Sequence, residues 1–332
     1  MEESPRFNYI ITIHNKQDLI KEVLTCILMC CRDNSHVYPV LDGCTDQTES
    51  IIDEISQTFS DIPITKVYMP DVHEILSINA GLRAANQAGE GYNIILQDDV
   101  MLRDFMWESK VAKLYKWAGA QLGFVSFRLG ANLRGDTATS IAGEPFLKHV
   151  ETAYGHGLKI ASVLLPGQLA YRSIAIKSPV CIPFKLTQEI GLLDERLAPY
   201  MCDDIEYSIR CLKAGYQNGV FGLRFQSDID WGSTRANPNP QLNELEKRNI
   251  ELIRDWHHST ISDICTREQS ITVVEVPDIS SEPEKAYAIA TWEKNCQLLD
   301  EFLARQAKVD ILSRIKSRIK KSITSARSEY IC

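Results

Sequence analysis

Tyr92-Asn93-Ile94-Ile95-Leu96-Gln97-Asp98-Asp99 is the stretch that decides the fold. The apolar run is the length of one buried strand. Two adjacent carboxylates cannot share a strand's buried face, so Asp98 and Asp99 fall just past its carboxyl end. That edge of an open α/β sheet is where ligands bind. Two like charges so close repel unless a cation sits beside them. Hard cations such as Mg²⁺ or Mn²⁺ take oxygen ligands and share them with substrate phosphates. The pair therefore reads as a metal–diphosphate site, with Asp99 on the metal and Asp98 facing metal or ribose. A solvated acidic turn is the plainer alternative, because Asp is a common turn residue.

Upstream of this stretch, short apolar runs alternate with helical periods. Asn8–His14 reads as a buried strand, and Leu19, Ile20, Val23, Leu24, Ile27 and Leu28 recur at helical spacing. His36–Leu41 reads as a second strand, which Pro39 places near an edge or bend. Asp46 and Glu49 resemble a capping box opening a helix. Ile64–Tyr68 is a third strand, Ile75–Ala88 a third helix, and Gly123–Phe127 a further strand. Such alternation predicts a mostly parallel sheet flanked by helices. Past it, Arg128–Leu165 has no clear period and reads as loops over the sheet's carboxyl edge. A strand follows near Gln168–Ile176, and Asp203–Ala214 is a short helix stopped by Gly215. Asn237-Pro238-Asn239-Pro240 is a turn, and Gln241–Trp256 is helical and charged. The expected organisation is one α/β domain over 6–260, a linker over 261–284 and a helical extension over 285–332.

The 332 residues are 44% hydrophobic and 24% charged, ordinary values for a globular protein. A net charge of −8 argues against nucleic acid as a partner. Ten cysteines without paired C-x-x-C units suit reduced thiols in a cytoplasmic protein rather than a disulfide scaffold or zinc site. The acidic start runs at once into a strand, so no signal peptide is expected. No apolar stretch approaches the roughly 20 residues of a membrane span. Lys308–Cys332 has seven basic and two acidic residues, a net of +5 that leaves −13 on the remainder. Over 308–327, Ile311, Leu312, Ile315, Ile319, Ile323 and Ala326 fall on one helical face flanked by Lys and Arg. That pattern suits a helix lying on an anionic membrane surface, such as the inner face of a cell membrane, or packing on an acidic protein.

Three other segments carry candidate chemistry. His14, where the first strand ends, could stack on a base or be a polar residue leaving the strand. In Val40-Leu41-Asp42-Gly43-Cys44-Thr45-Asp46, a strand ends in a carboxylate, a glycine permits a tight turn and a helix begins. Asp46 suits an N-cap. Asp42 is not needed for capping and could accept from a base N–H, while the helix start favours anions. Asp203-Asp204-Ile205-Glu206 opens a helix, where carboxylates complement the dipole. One of them could serve as a general base, though the dipole is expected to lower its pKa and weaken it.

Taken in order, ITIHN, VLDGCTD, NAGLRAANQAGEGY, IILQDDV, EIGLLDERL and CDDIEYSIRCLKAGY make the chain similar to the family-2 glycosyltransferases of the GT-A fold over roughly residues 8–256. The resemblance implies inverting transfer of a sugar from a nucleotide-diphosphate-sugar donor to a hydroxyl of a glycan or lipid-linked glycan, as in polysaccharide biosynthesis, assisted by Mn²⁺ or Mg²⁺. It implies that His14 stacks on the nucleobase, Asp42 contacts the base, Asp98 faces the ribose, and Asp99 holds the metal. Asn79 would be a donor-binding residue, Asp204 the base that activates the acceptor, and Asp203 a residue positioning that acceptor. The chain departs from the family pattern at His14, where Tyr is usual, and at Ile78, where Arg is frequent. A further metal ligand, often His, would be Asp228 or Asp230, with Arg235 a leaving-group partner. These departures keep a second reading open: a nucleotide-sugar-binding scaffold without turnover, recruited to a membrane. No P-loop, G-x-G-x-x-G or G-x-S-x-G occurs. A nucleotidylyltransferase would need a Gly-rich loop after the first strand, and ITIHNKQD lacks one. His257-His258 has no nearby Cys or second pair and reads as a helix end rather than a metal site.

Overall fold

The computed structural model describes residues 4–133, 164–227, 240–266 and 273–290. Strand β1 (Phe7–Ile13) is central, because its alternate residues have core to face on both sides. Phe7, Tyr9, Ile11 and Ile13 enter one buried cluster and Ile10 enters the other. The first cluster is closed by α1 (Ile20–Leu28), α2 (Thr48–Thr58) and α4 (Trp107–Ala118). The second is closed by α3 (His73–Ala85), α5 (Phe184–Ile190), α6 (Asp203–Lys213) and α7 (Pro240–Thr266).

The main sheet places β13 (Val273–Glu275), β8 (Gln168–Arg172), β11 (Gln217–Phe221), β6 (Leu122–Ser126), β10 (Val180–Pro183), β4 (Tyr92–Gln97), β1, β2 (Ser35–Asp42) and β3 (Val67–Met69) side by side in that order. Strands β4, β1, β2 and β3 are mutually parallel, and β6 is parallel to β11. β10 runs antiparallel to both β4 and β6, and β8 runs antiparallel to β11 and β13. Seven of the nine strands therefore share one direction. Two small ribbons, β5 (Met101–Leu102) with β12 (Phe225–Gln226) and β7 (Leu129–Ala131) with β9 (Ile174–Ile176), complete the described strands. The α/β fold with a mostly parallel sheet, helices on both faces and helices towards the carboxyl end follows the expectation.

Several details depart from it. Pro39 is not in an edge strand: it sits in β2, opposite Ile11. Val37, of the same parity, makes its backbone hydrogen bonds to Pro63 and Thr65. The missing N–H of Pro39 therefore faces the edge side, where pairing lapses between Ile64 and Val67. Asp46 stands one residue before the N-cap position, Gln47, and accepts from the Thr48 N–H at 3.0 Å and the Gln17 N–H at 3.0 Å. Glu49, however, turns away to Lys66 at 2.8 Å, so no capping box closes. The run expected as one strand over Gln168–Ile176 breaks at Ser173 into β8 and β9. The stretch read as a linker over 261–284 holds the end of α7 and the edge strand β13, and 282–290 is helical. Lys110, buried on α4, ties that last helix down through Glu284 at 2.8 Å while also pairing with Asp104 at 2.7 Å. The 308–327 tail and the rest of 291–332 lie outside the described residues. Among the described residues, no helix is long and apolar enough to cross a membrane.

The seat of α3 positions the site. A Cβ on Gly81 would stand 2.4 Å from Ile10 Cγ2 and 2.9 Å from Val40 Cγ2, so α3 lies directly on β1 and β2. Its first turn then overhangs the carboxyl ends of those strands.

Candidate active site

The carboxyl ends of β4, β1 and β2 are adjacent, and each delivers a polar group to one cavity of about 590 Å³. Asp98 and Asp99 follow β4, His14 follows β1, and Asp42 ends β2; all four line it. The α3 turn adds His73, Glu74 and Ser77, and the loop before α6 adds Tyr200 and Met201. Among the described residues, five of the six non-glycine residues with positive φ, namely Asn15, Asp71, His73, Met201 and Cys202, line or adjoin this cavity. Such backbone conformations are uncommon and cluster at functional sites.

The hydrogen bonds fix the orientation of each group. His14 Nδ1 lies 2.6 Å from the Asp42 carbonyl oxygen. A carbonyl only accepts, so Nδ1 carries the proton, and Nε2 accepts from Asn15 Nδ2 at 3.2 Å. Both ring nitrogens are used in the plane, and the half-exposed ring offers its faces. One Asp42 oxygen accepts from the Val72 N–H at 2.7 Å. Gly43 is required here: its φ is +62°, and a Cβ would stand 2.6 Å from that of Asp71. Asp98 accepts from the His14 N–H at 3.1 Å and pairs with Lys16 at 3.3 Å. Burial nevertheless outweighs both contacts and pushes its carboxyl up to about 6. Asp99 is 4% exposed at the wall of the cavity. No group of three metal-binding side chains occurs among the described residues. The donor set still fits a hard cation, because Mg²⁺-type ions are held by one or two carboxylates and complete their shell with substrate phosphates.

The second acidic pair is set apart from this cavity wall. The Asp203 side chain is 0% exposed, and its carboxylate lies 2.6 Å from the Lys177 ammonium. It is a buried ion-pair partner, which corrects the expectation that it positions an acceptor. The same ammonium lies 3.2 Å from Glu74, and Glu74 accepts from Gln97 Nε2 at 2.5 Å. Lys177 thus links the helix bearing Asp203 and Asp204 to the cavity. Asp204 accepts from the Lys177 N–H at 3.2 Å and the Ile205 N–H at 2.9 Å. Burial, and then the charge of Asp203, raise its pKa to about 7. Desolvation at this depth acts against the depression expected from the helix dipole.

Asn79 does not reach the cavity. Its side-chain amide donates to the Leu193 carbonyl at 2.9 Å and Glu195 at 3.0 Å and accepts from the Leu193 N–H at 3.1 Å. It pins α3 to the segment before α6, a structural role in place of the expected donor contact. Asn249 on α7 does similar work, donating to the carbonyls of Leu197, Tyr200 and Met201 at 2.9–3.1 Å and so shaping the loop at the cavity mouth. His257 sits at a kink in α7 and meets Glu206 at 2.9 Å, which explains it without a metal. Asp228, Asp230 and Arg235 lie outside the described residues. Sequence reasoning missed Lys177 and Glu74. The signal for Lys177 is a single charge in the apolar run Ile174–Ile182, and for Glu74 the polar spacing His73, Glu74, Ser77 at a helix start.

Residues 9–152 match the family described as glycosyl transferase family 2. Over that segment the chain is similar to the family-2 glycosyltransferases. The matched span contains His14, Asp42, Asp98 and Asp99; Lys177, Asp203 and Asp204 fall beyond it. Among solved structures, the chain is similar to S. aureus TarS, with 15% identity and a TM-score of 0.47 over 74% of this chain and 39% of that one. It is also similar to the mannosyltransferase PcManGT from Pyrobaculum calidifontis in complex with GDP-Man and Mn²⁺, with 15% identity and a TM-score of 0.48 over 90% of this chain and 86% of that one. A third is S. aureus TarS 1-349 in complex with UDP, with 13% identity and a TM-score of 0.46 over 76% and 72%. No curated protein matches the chain in sequence.

Proposed function

We propose that this glycosyltransferase moves a sugar from a nucleotide-diphosphate donor to a hydroxyl acceptor with inversion. The observation that carries the reading is the convergence of His14, Asp42 and the Asp98–Asp99 pair on one cavity at the ends of three adjacent parallel strands. His14, held in plane by its two nitrogens, presents a face on which a base stacks. Asp42, anchored by the Val72 N–H, accepts from a base N–H and so orients the nucleoside. Asp98 faces the ribose. Asp99 would hold a divalent cation, which when bound supplies charge neutralisation on the departing diphosphate.

Asp204 is the proposed base. A carboxyl with a pKa near neutrality is a far better proton acceptor than an exposed one, because base strength follows pKa. It takes the acceptor hydroxyl's proton as that oxygen attacks the anomeric carbon from the face opposite the diphosphate, and single displacement inverts that carbon. Since Asp204 must be ionised, the rate rises with pH through about 7. The basic tail, 308–327, is proposed to bring the enzyme to an anionic membrane surface and hence to lipid-linked acceptors.

Thermal unfolding with nucleoside diphosphates, each with and without Mn²⁺, tests the donor site. A ligand bound only by the folded state raises the midpoint by mass action. A metal-dependent rise with one diphosphate, absent in Asp99→Asn, is expected. No rise with any of them would refute the donor site, and binding without transfer would favour the scaffold reading.

A further inference from the structure

Lysine is almost never fully buried unless paired. Lys177, 11% exposed, sits in an otherwise apolar run, and its ammonium touches two carboxylates: Asp203 at 2.6 Å and Glu74 at 3.2 Å. Asp203 is fully buried beside Asp204. Two neighbouring buried carboxylates without a cation cannot both ionise, and one of them holds its proton. We propose that Lys177 is a positioning residue for transfer: its ammonium offsets the charge of Asp203, leaving Asp204 able to ionise, while its backbone N–H orients the Asp204 carboxylate. The inference rests on the reading of Asp204 as the base.

The surrounding groups single Lys177 out. At the start of α6, Asp204 faces Asp203 and the Cys202 thiol, and Glu206 lies further along the helix. Glu206 is already occupied by Arg210 at 2.8 Å and by His257. From α3 comes Glu74, already on Lys177, and from α7 comes Glu246, close enough to act on Cys202. Every one of these neighbours except Lys177 is an acid or a thiol, or is a cation bound to Glu206. The ammonium at Asp203 therefore eases the ionisation of Asp204 against the burial and the Asp203 charge that oppose it.

The experiment is the pH profile of kcat/KM with the full-length enzyme and its nucleotide-sugar donor. In Lys177→Met the limb on the acid side moves to higher pH by about one to two units, the scale of shift a removed neighbouring charge produces. Donor KM changes little, because Lys177 does not line the donor cavity. Lys177→Arg, which keeps the cation, retains most of the wild-type profile. The double variant Lys177→Met/Asp203→Asn removes the cation and the carboxylate it offsets, and its limb returns to the wild-type position. A limb unmoved in Lys177→Met, or still raised in the double variant, overturns the inference. If Lys177→Met does not fold, the double variant decides alone. Asp204→Asn separates the two claims: transfer retained there refutes the base itself, whereas transfer lost there with an unmoved Lys177→Met limb refutes only the role of Lys177.

Discussion

Asp204→Asn should separate activity from stability, and the size of the effect can be worked from the site. The carboxyl ionises near 7 in the fold, against 3.8 for an ordinary aspartate. That difference of about three units is worth about 4 kcal/mol at about 1.4 kcal/mol per unit. Below pH 3.8 the group is protonated in both states and contributes nothing. Between 3.8 and 7 the unfolded chain ionises while the folded one does not, so the wild type loses stability as pH rises. Above 7 the full cost of about 4 kcal/mol is present. The amide of Asn carries no such slope. It does give up one of the two backbone N–H contacts, from Lys177 or Ile205, which costs about 1–3 kcal/mol at every pH. The variant is therefore expected to be the less stable protein at pH 4 and the more stable at pH 8. The gap between the two should swing by about 4 kcal/mol across that window. Urea unfolding of both proteins at half-unit intervals measures it, since titrating groups away from Asp203 and Lys177 are common to the pair and cancel. A flat gap would refute the raised pKa. A swing of opposite sign would mean that the helix dipole prevails over desolvation after all.

Asp99→Asn is expected to lower transfer by at least about a hundredfold, the scale of losing an electrostatic stabiliser of a developing charge, with donor-free stability little changed. Parallel rate and melting measurements check it. Gly81→Ala should destabilise by about 1–3 kcal/mol, because its methyl enters the space of Ile10 and Val40 beneath α3, and should weaken donor binding by displacing the helix that overhangs the cavity. Glu284→Gln should remove a stabilisation that comes from Lys110 and Ser281. The contacts hold the folded carboxyl down at about 2 despite burial, so the wild-type advantage is present above pH 4.5 and fades as pH falls towards 2. Acid titration of the two midpoints reads it. Deleting 308–332 should abolish flotation with anionic liposomes while leaving transfer to a soluble acceptor intact, and unchanged flotation would refute a membrane role.

The cavity read as the donor site in the proposed function was legible because its signals are local. A strand end, a glycine and a carboxylate within seven residues suffice to place Asp42. An apolar run closed by Asp98 and Asp99 can be only a strand and its exit. Pairing order then follows from chirality and short connections, and it brings the ends of β4, β1 and β2 together. The acceptor half was not legible, because its chemistry is set by what lies across the fold. Nothing near Asp204 in sequence announces that Lys177, twenty-seven residues earlier, sits against Asp203. Reading Asp203-Asp204 as a helix start gives only the dipole, which acts in the opposite direction to the burial that governs the pair. Asn79 shows the converse. Its spacing fits a donor contact, yet the Leu193 backbone takes both ends of its amide, a demand that exists only once α3 and the pre-α6 segment meet. His14 lies between the two cases. Its place at a strand end was readable, but its tautomer follows from the Asp42 carbonyl of the neighbouring strand. On the proposed donor reading, that dependence would make β1–β2 register part of base recognition. Shifting β2 by one residue would move both the carbonyl that holds the His14 ring and the Asp42 carboxylate proposed to face the base. Stacking and hydrogen bonding to the base should therefore be lost together, never singly, in variants that loosen the Gly43 turn.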